Sequence, residues 1–416
     1  MLGDGARIRH RHQPPAELGE TRAQRAVAVF QRSVQQVVTH EPTLIRTRCA
    51  GSDCHTWRVA DLDALQAAGI ADAHRRAPLI EYLEGLGFTA EEMVEAERRG
   101  RLFGLAGDVL QWSGPPAYSL RSAAETLGLP VEDVARAWAA LGLTVDGLDE
   151  PALSQADVHG LGTWADIRGI LGDEAATGLL RVMGASMARL SEAISSTIRA
   201  GSPDIQIEQS HDELRTARAY RAAAAFVPRL GEMIDAVHRH HLMTTRRYFE
   251  HVVRDGSANV VCGVGFADLS GFTALTQTLT TVELSELLNE FGAATADVVH
   301  AAGGRLVKFI GDEVMWVASD PGQLLRVAVG IVGHPRAAEA GLQIRAGLDH
   351  GTVLAISGDY FGNPVNRAAR LVSAAAPGQI LVSETVHALL PEQPTGPPQA
   401  LSLKGFSEPV TAYPLT

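Results

Sequence analysis

Asp268 follows the apolar, β-branched run Val260 to Phe266, and Asp312 sits in the tight link Gly311-Asp312 between two strand-like segments, Arg305 to Ile310 and Glu313 to Ala318. Paired carboxylates at strand ends suit hard divalent cations that share their ligands with phosphate oxygens. Taken alone, the same two residues read more readily as solvated loop carboxylates. Asn366 and Arg370 are one helical turn apart on a predicted helix and therefore share a face. Lys308 falls within the second strand-like segment and Asp359 in a turn, positions that an ordinary strand-edge lysine and a turn aspartate would also occupy.

These residues need a scaffold that gathers them. From Val260 onward the order of elements reads β-α-β-β-α-β with further elements after it, and Val282 to Val299 forms an amphipathic helix through Leu284, Leu287, Leu288, Phe291 and Val298. This predicts an α+β domain with the ferredoxin-like arrangement, in which the first strand lies antiparallel beside the third. The end of one then meets the start of the other, which brings Asp268 and Asp312 together. Ser270, Gly271, Phe272 and Thr273 lie where strand gives way to helix, so their N–H groups can point at terminal phosphates.

The text around these positions is more specific than the positions themselves. Phe266-Ala-Asp268-Leu-Ser-Gly-Phe-Thr273, Lys308-Phe-Ile-Gly-Asp312-Glu-Val and Asp359-Tyr-Phe-Gly-Asn-Pro-Val-Asn366-Arg-Ala-Ala-Arg370-Leu follow one another in order. Residues 255–416 thereby resemble a class III nucleotide cyclase, and the helical half resembles the regulatory domain of soluble actinobacterial adenylyl cyclases. The resemblance implies that Asp268 and Asp312, with the Leu269 carbonyl, bind two divalent cations, Mg²⁺ or Mn²⁺. It implies that Lys308 and Asp359 read the purine: a donor facing adenine N1 and an acceptor facing the 6-amino group match ATP, whereas guanine presents the opposite pattern. Thr273 and Lys404 would contact phosphates, Asn366 would orient the ribose, and Arg370 would stabilise charge developing on the phosphoryl group. Family members divide these residues between two catalytic domains. This chain holds both sets, so the resemblance implies a homodimer that turns ATP into cyclic AMP and pyrophosphate. A guanylyl cyclase is the nearest rival. A catalytically silent nucleotide sensor or DNA-binding regulator is the alternative from another class. A diguanylate cyclase is disfavoured because no Gly-Gly precedes the acidic pair.

The remainder of the chain sets limits. At 416 residues it is too long for one ordinary core, and its 48 acidic against 36 basic residues disfavour a surface built for polyanions. Nucleic acid is therefore not an expected partner. No apolar stretch approaches the roughly 18 residues that cross a bilayer, and the three cysteines make no disulfide framework, which suits a cytoplasmic protein. Cys49, Cys54 and His55 lack a second ligand pair at zinc-finger spacing.

Residues 1–65 read as an irregular tail, 66–205 as an all-helical regulatory domain, 206–254 as a helical linker kinked at Pro228 and Gly231, and 255–416 as the catalytic domain. Ser119 to Leu127 and Val131 to Leu141 have helix-turn-helix proportions, but Glu132 and Asp133 stand where phosphate-contacting residues would be wanted. Leu179, Leu180, Met183, Met187, Leu190 and Ile194 form an apolar stripe, read either as core or as part of a fatty-acid site. His238, His240, His241 and His251 lie in the linker, where a charge change near neutral pH could bias two packings.

Overall fold

The computed structural model describes residues 61–252, 258–339 and 341–416. The expected tail thus lies outside the described residues apart from its end, where Leu62–Ala68 is helical because the Asp61 carboxylate accepts the Ala64 N–H. Cys49, Cys54 and His55 also lie outside them. The chain divides into two compact units, Met1–Ile234 and Asp235–Thr416.

Caps and turn residues set the helices of the first unit. Thr89 and Glu92 form a reciprocal capping box at the start of Ala90–Arg98. Gly128, in the left-handed region at φ 67°, ends Leu120–Leu127 before Val131–Ala140 begins, which is the expected two-helix motif. One apolar cluster gathers Leu65, Ile80, Leu83, Met93, Leu102 and Ala217, and a second gathers Leu120, Ala124, Val134, Trp164 and Leu180. The second helix of the motif is tied into its own unit, with Asp133 bound by Arg168 at 2.8 Å and by Arg136 at 2.8 Å.

Two expectations need correction. Residues 206–254 are not one kinked helix. The chain breaks at His211, in the left-handed region, and Asp212, whose carboxylate accepts the Arg215 N–H to start Glu213–Ala224. Pro228 and Gly231 sit inside Val227–Val252; Pro228 lies in the first turn, where an N–H would have had no helical partner. Glu213–Ala224 is part of the helical core, burying Thr216, Ala217 and Ala222 to Ala224, while Glu213 binds Arg76 at 2.7 Å. The stripe on Asp173–Gly201 is not core either. Leu179, Met183, Met187 and Leu190 are exposed, Met183 by 49%, and of the stripe only Leu180 is buried.

In the second unit, β1 (Asn259–Leu269), β2 (Arg305–Ile310), β3 (Glu313–Ala318), β4 (Ile344–Ile356), β5 (Asp359–Phe361), β6 (Ile380–Ser383), β7 (Gln399–Leu401) and β8 (Val410–Pro414) build one sheet. Its order is β2-β3-β1-β4-β6-β8-β7, with β5 paired to β4. The first four strands in that order carry the ferredoxin-like arrangement, with β1 antiparallel to both β3 and β4. Helices Thr281–Ala301 and Pro321–Val332 cover one face around Trp316, Leu324 and Leu348. Asn363–Ala374 covers the other, together with Tyr248, Phe249 and Val252 from the last turns of Val227–Val252. On that side the Cys262 thiol is fully buried, and burial pushes its pKa up to about 11, so it behaves as a small apolar side chain.

Close approach of backbone to backbone explains how Asn363–Ala374 is seated. A Cβ on Gly347 would lie 2.3 Å from the Val372 nitrogen and 2.4 Å from the Ala368 oxygen. The obstacle is backbone that cannot step aside by changing a rotamer. The variant Gly347→Ala is expected to lose stability by about 1–3 kcal/mol through overpacking. A denaturant midpoint equal to that of the wild type would contradict this seating.

Candidate active site

The β1–β3 ladder runs to Ala267 opposite Val314, so Asp268 leaves the end of β1 beside the Gly311-Asp312 link and Glu313. Asp268 is only 18% exposed, and both its oxygens accept from Arg345: Nε at 2.7 Å and Nη2 at 2.9 Å. Arg345 is the residue directly opposite Asp268 in the β1–β4 pairing. Its Nη1 also donates to the carbonyls of Ser373 at 3.0 Å and Ala375 at 3.2 Å, at the C-terminal end of the Asn363–Ala374 helix, where carbonyls lack helical partners. A single guanidinium is thus held by a carboxylate on one side and a helix end on the other.

Two further acids crowd this position. Burial and the charge of Asp268 push the Asp312 carboxyl above the usual carboxylate range. Glu313 is pushed up to about 7 by burial and then by Asp268 and Asp312, against the pull of Arg345 and Arg370. Among the described residues no group of three or more His, Cys, Asp or Glu side chains could by itself hold a metal ion. Two neighbouring carboxylates, with other oxygens still to be supplied by backbone or ligand, do suit Mg²⁺ or Mn²⁺ shared with a polyphosphate. Arg345 is the cationic partner that Asp268 has in the chain itself.

Leu269 ends β1 with its side chain buried in the core and its pairing to Ile344 intact. Ser270 donates its N–H to the Gln343 carbonyl at 2.8 Å, yet its buried hydroxyl has no hydrogen-bond partner among the described residues. Gly271, at φ 79°, turns the chain into the short helix Phe272–Leu275. The side chain of Thr273 lies outside the described residues.

Lys308 of β2 and Asp359 of β5 form an ion pair, and Asp359 also accepts the Tyr360 N–H at 2.8 Å. Two residues that the sequence separates widely are therefore neighbours. Asn366 and Arg370 lie on the exposed side of Asn363–Ala374, and Lys404 is exposed in the turn between β7 and β8. His238, His240 and His241 are exposed on Val227–Val252, while the His251 side chain lies outside the described residues. Sequence reasoning missed Arg345 and Glu313. Glu313 adjoins a motif aspartate and could have been flagged; Arg345 sits in an apolar run, and only the strand register reveals its partner.

Residues 256–415 match the family model for the adenylate and guanylate cyclase catalytic domain, and residues 59–245 match that for the adenylate cyclase regulatory domain. The chain belongs to the class III nucleotide cyclase family, joining the catalytic domain to this regulatory domain. It is 64% identical over 355 residues to an uncharacterised protein of Mycobacterium tuberculosis, covering 85% of this chain and 94% of that one. It is 34% identical over 271 residues to an adenylate cyclase of Streptomyces coelicolor, covering 64% and 69%. A pH-sensitive adenylate cyclase of M. tuberculosis is 29% identical over 346 residues, covering 80% and 84%. Among solved structures, the adenylyl cyclase CyaB of P. aeruginosa matches 38% of this chain and 94% of its own at 26% identity and a TM-score of 0.36.

The Glu313 carboxyl gives the metal-free protein a pH signature. Its folded pKa, about 7, exceeds the ordinary value of 4.5, so its contribution to stability is fully present below pH 4.5 and is lost as pH rises through 7. In a chelating buffer, Glu313→Gln is expected to remove this loss between pH 5 and 8. Parallel stability–pH curves for wild type and variant would contradict it.

Proposed function

We propose that the protein is an adenylyl cyclase that converts ATP to 3′,5′-cyclic AMP and pyrophosphate. The Lys308–Asp359 pair carries the reading: an ammonium donor and a carboxylate acceptor stand side by side, and adenine offers an acceptor at N1 next to a donor at its 6-amino group. Two divalent cations, Mg²⁺ or Mn²⁺, bound at Asp268, Asp312 and the Leu269 carbonyl would supply positive charge to the triphosphate and acidify the ribose 3′-hydroxyl. The chain's own groups do the rest. Asn366 orients the ribose so that the 3′-oxygen faces the α-phosphorus. Arg370 takes up the charge that develops on the phosphoryl oxygens as pyrophosphate leaves. Lys404, Thr273 and the N–H groups of residues 271–273 hold the distal phosphates, while Arg345 fixes the Asp268 carboxylate beside them.

The assembly we propose is a homodimer in which one copy supplies the acids and the other supplies the base-reading pair with Asn366 and Arg370. Exposed apolar side chains on edge elements support it: Phe309 and Ile310 on β2, Ile356 at the end of β4 and Phe361 on β5. The helical unit would regulate this dimer. Three exposed histidines on a helix that runs into the catalytic unit, and the pH-sensitive relative, support regulation by pH. Among the described residues no helix is long and apolar enough to cross a membrane, which accords with a cytoplasmic site of action.

Purified protein is expected to make cyclic AMP from ATP with Mn²⁺ or Mg²⁺ and little cyclic GMP from GTP. Equal turnover of GTP would favour the guanylyl cyclase reading, and no turnover of either the silent sensor. Asp268→Ala and Arg370→Ala should each lower kcat by about 10²-fold or more. Mixed in equal amounts, the two inactive variants should recover about a quarter of wild-type activity, since half the dimers are mixed and each has one complete site. Absence of recovery would remove the shared-site dimer. Replacing His238, His240, His241 and His251 by Gln should flatten the pH profile of the full chain; an unchanged profile would end the histidine reading.

A further inference from the structure

Asp349 is a charged side chain in the middle of the sheet, with no exposed surface. It lies on the face of β4 that carries Asn363–Ala374, between Gly347 and Gly351 in the alternation of the strand. Those two glycines leave no room for a side chain: a Cβ on Gly351 would come within 2.9 Å of Pro364, and one on Gly347 would strike the helix backbone. Between the two glycines this strand sends one side chain toward the helix, and it is a carboxylate.

Its partner is Arg367, whose Nη1 donates to the Asp349 carboxylate at 3.0 Å, while the His350 N–H donates at 2.8 Å. Burial pushes Asp349 upward, and the Ser383 hydroxyl, the His350 N–H and the Arg367 charge oppose that shift. An apolar pair would fill such a seam at lower electrostatic cost. What the ion pair adds is direction, because a guanidinium bound to a fixed carboxylate allows one rotation of the helix about its axis.

Arg367 also adjoins the proposed nucleotide-handling residues. It is adjacent to Asn366 and three residues before Arg370, and its guanidinium stands 5.8 Å from the ring centre of Phe406, two residues beyond Lys404. The Lys404 turn has a second tie to the same helix, since Leu403 packs in the cluster of Leu371 and Ala375.

We propose that Arg367, anchored by the buried Asp349 carboxylate, is a positioning residue that sets the aim of Asn366 and Arg370 and pins the Lys404 turn in the same stroke. The proposal rests on the cyclase reading above, and its test separates the two. Wild-type protein that turns over no nucleotide would remove the reading. The proposal stands or falls on variants of an active wild type.

In the full-length protein, Arg367→Met is expected to lower kcat for ATP by about 10- to 100-fold, the scale of an ångström's misplacement of a reacting group. Arg367→Lys, which keeps a cation for Asp349, should recover most of the loss, and Asp349→Asn should behave like Arg367→Met. The deciding readout is mixing. An Arg367→Met copy still lends intact acids and an Asp268→Ala copy still lends an intact Asn366–Arg370 face, so that pair should regain activity. The pair of Arg367→Met with Arg370→Ala should not, since both lesions fall on the same half of the site. A merely unfolded Arg367→Met copy would rescue neither. Unchanged kcat in Arg367→Met and Asp349→Asn, or failure of the Asp268→Ala mixture to gain activity with either variant, would overturn the proposal.

Discussion

Negative charge concentrated at one end of β1 and β3 is the constraint around which the catalytic unit is arranged. The charge of Asp268 raises the cost of ionising Asp312 and Glu313, and within the chain Arg345 supplies the countercharge to Asp268. That guanidinium is useful only because β4 pairs with β1 in one register and because the Asn363–Ala374 helix ends with open carbonyls beside it. The helix in turn reaches that position because Gly347 presents no side chain to it. Electrostatics at the site, strand register and backbone packing are thus a single linked arrangement.

The elements of the catalytic unit were largely legible in the sequence because each is a local pattern. The β-branched run around Val260, the Gly311-Asp312 link and the periodic leucines after Val282 correspond to β1, the β2–β3 hairpin and Thr281–Ala301. The joining of Lys308 to Asp359 was accessible only through the family pattern, since nothing local to either residue announces the other. Arg345, Asp349 and Arg367 stayed hidden for the same reason: their partners are fixed by cross-strand register and by a strand–helix seam. In the helical half, periodicity found a face on Asp173–Gly201 but could not say what covers it, and the exposed Met183 and Met187 show that the face is not core. The break at His211-Asp212 was missed because a capping aspartate after a polar run looks like any other polar residue until its N–H partner is known.

The two units differ in how they are held. The helical unit ties its elements with ion pairs between half-buried side chains, such as Arg76 to both Glu97 and Glu213, over two modest apolar clusters. The catalytic unit relies on a continuous sheet covered on both faces, with Trp316 lying over the bare Gly265 backbone.

On the proposed reading of Lys308 and Asp359 as the groups that meet the base, their contact with each other bears on selectivity. These side chains satisfy each other, so an incoming base competes with an internal bond rather than filling a void. A purine that offers an acceptor to the ammonium and a donor to the carboxylate replaces what it breaks. One with the reverse polarity leaves both ions worse off than before it arrived, and they close on each other again. On that proposal, discrimination would reside in the ease with which the protein returns to its own embrace, and a mismatched nucleotide would be expelled without any steric barrier having to be built against it.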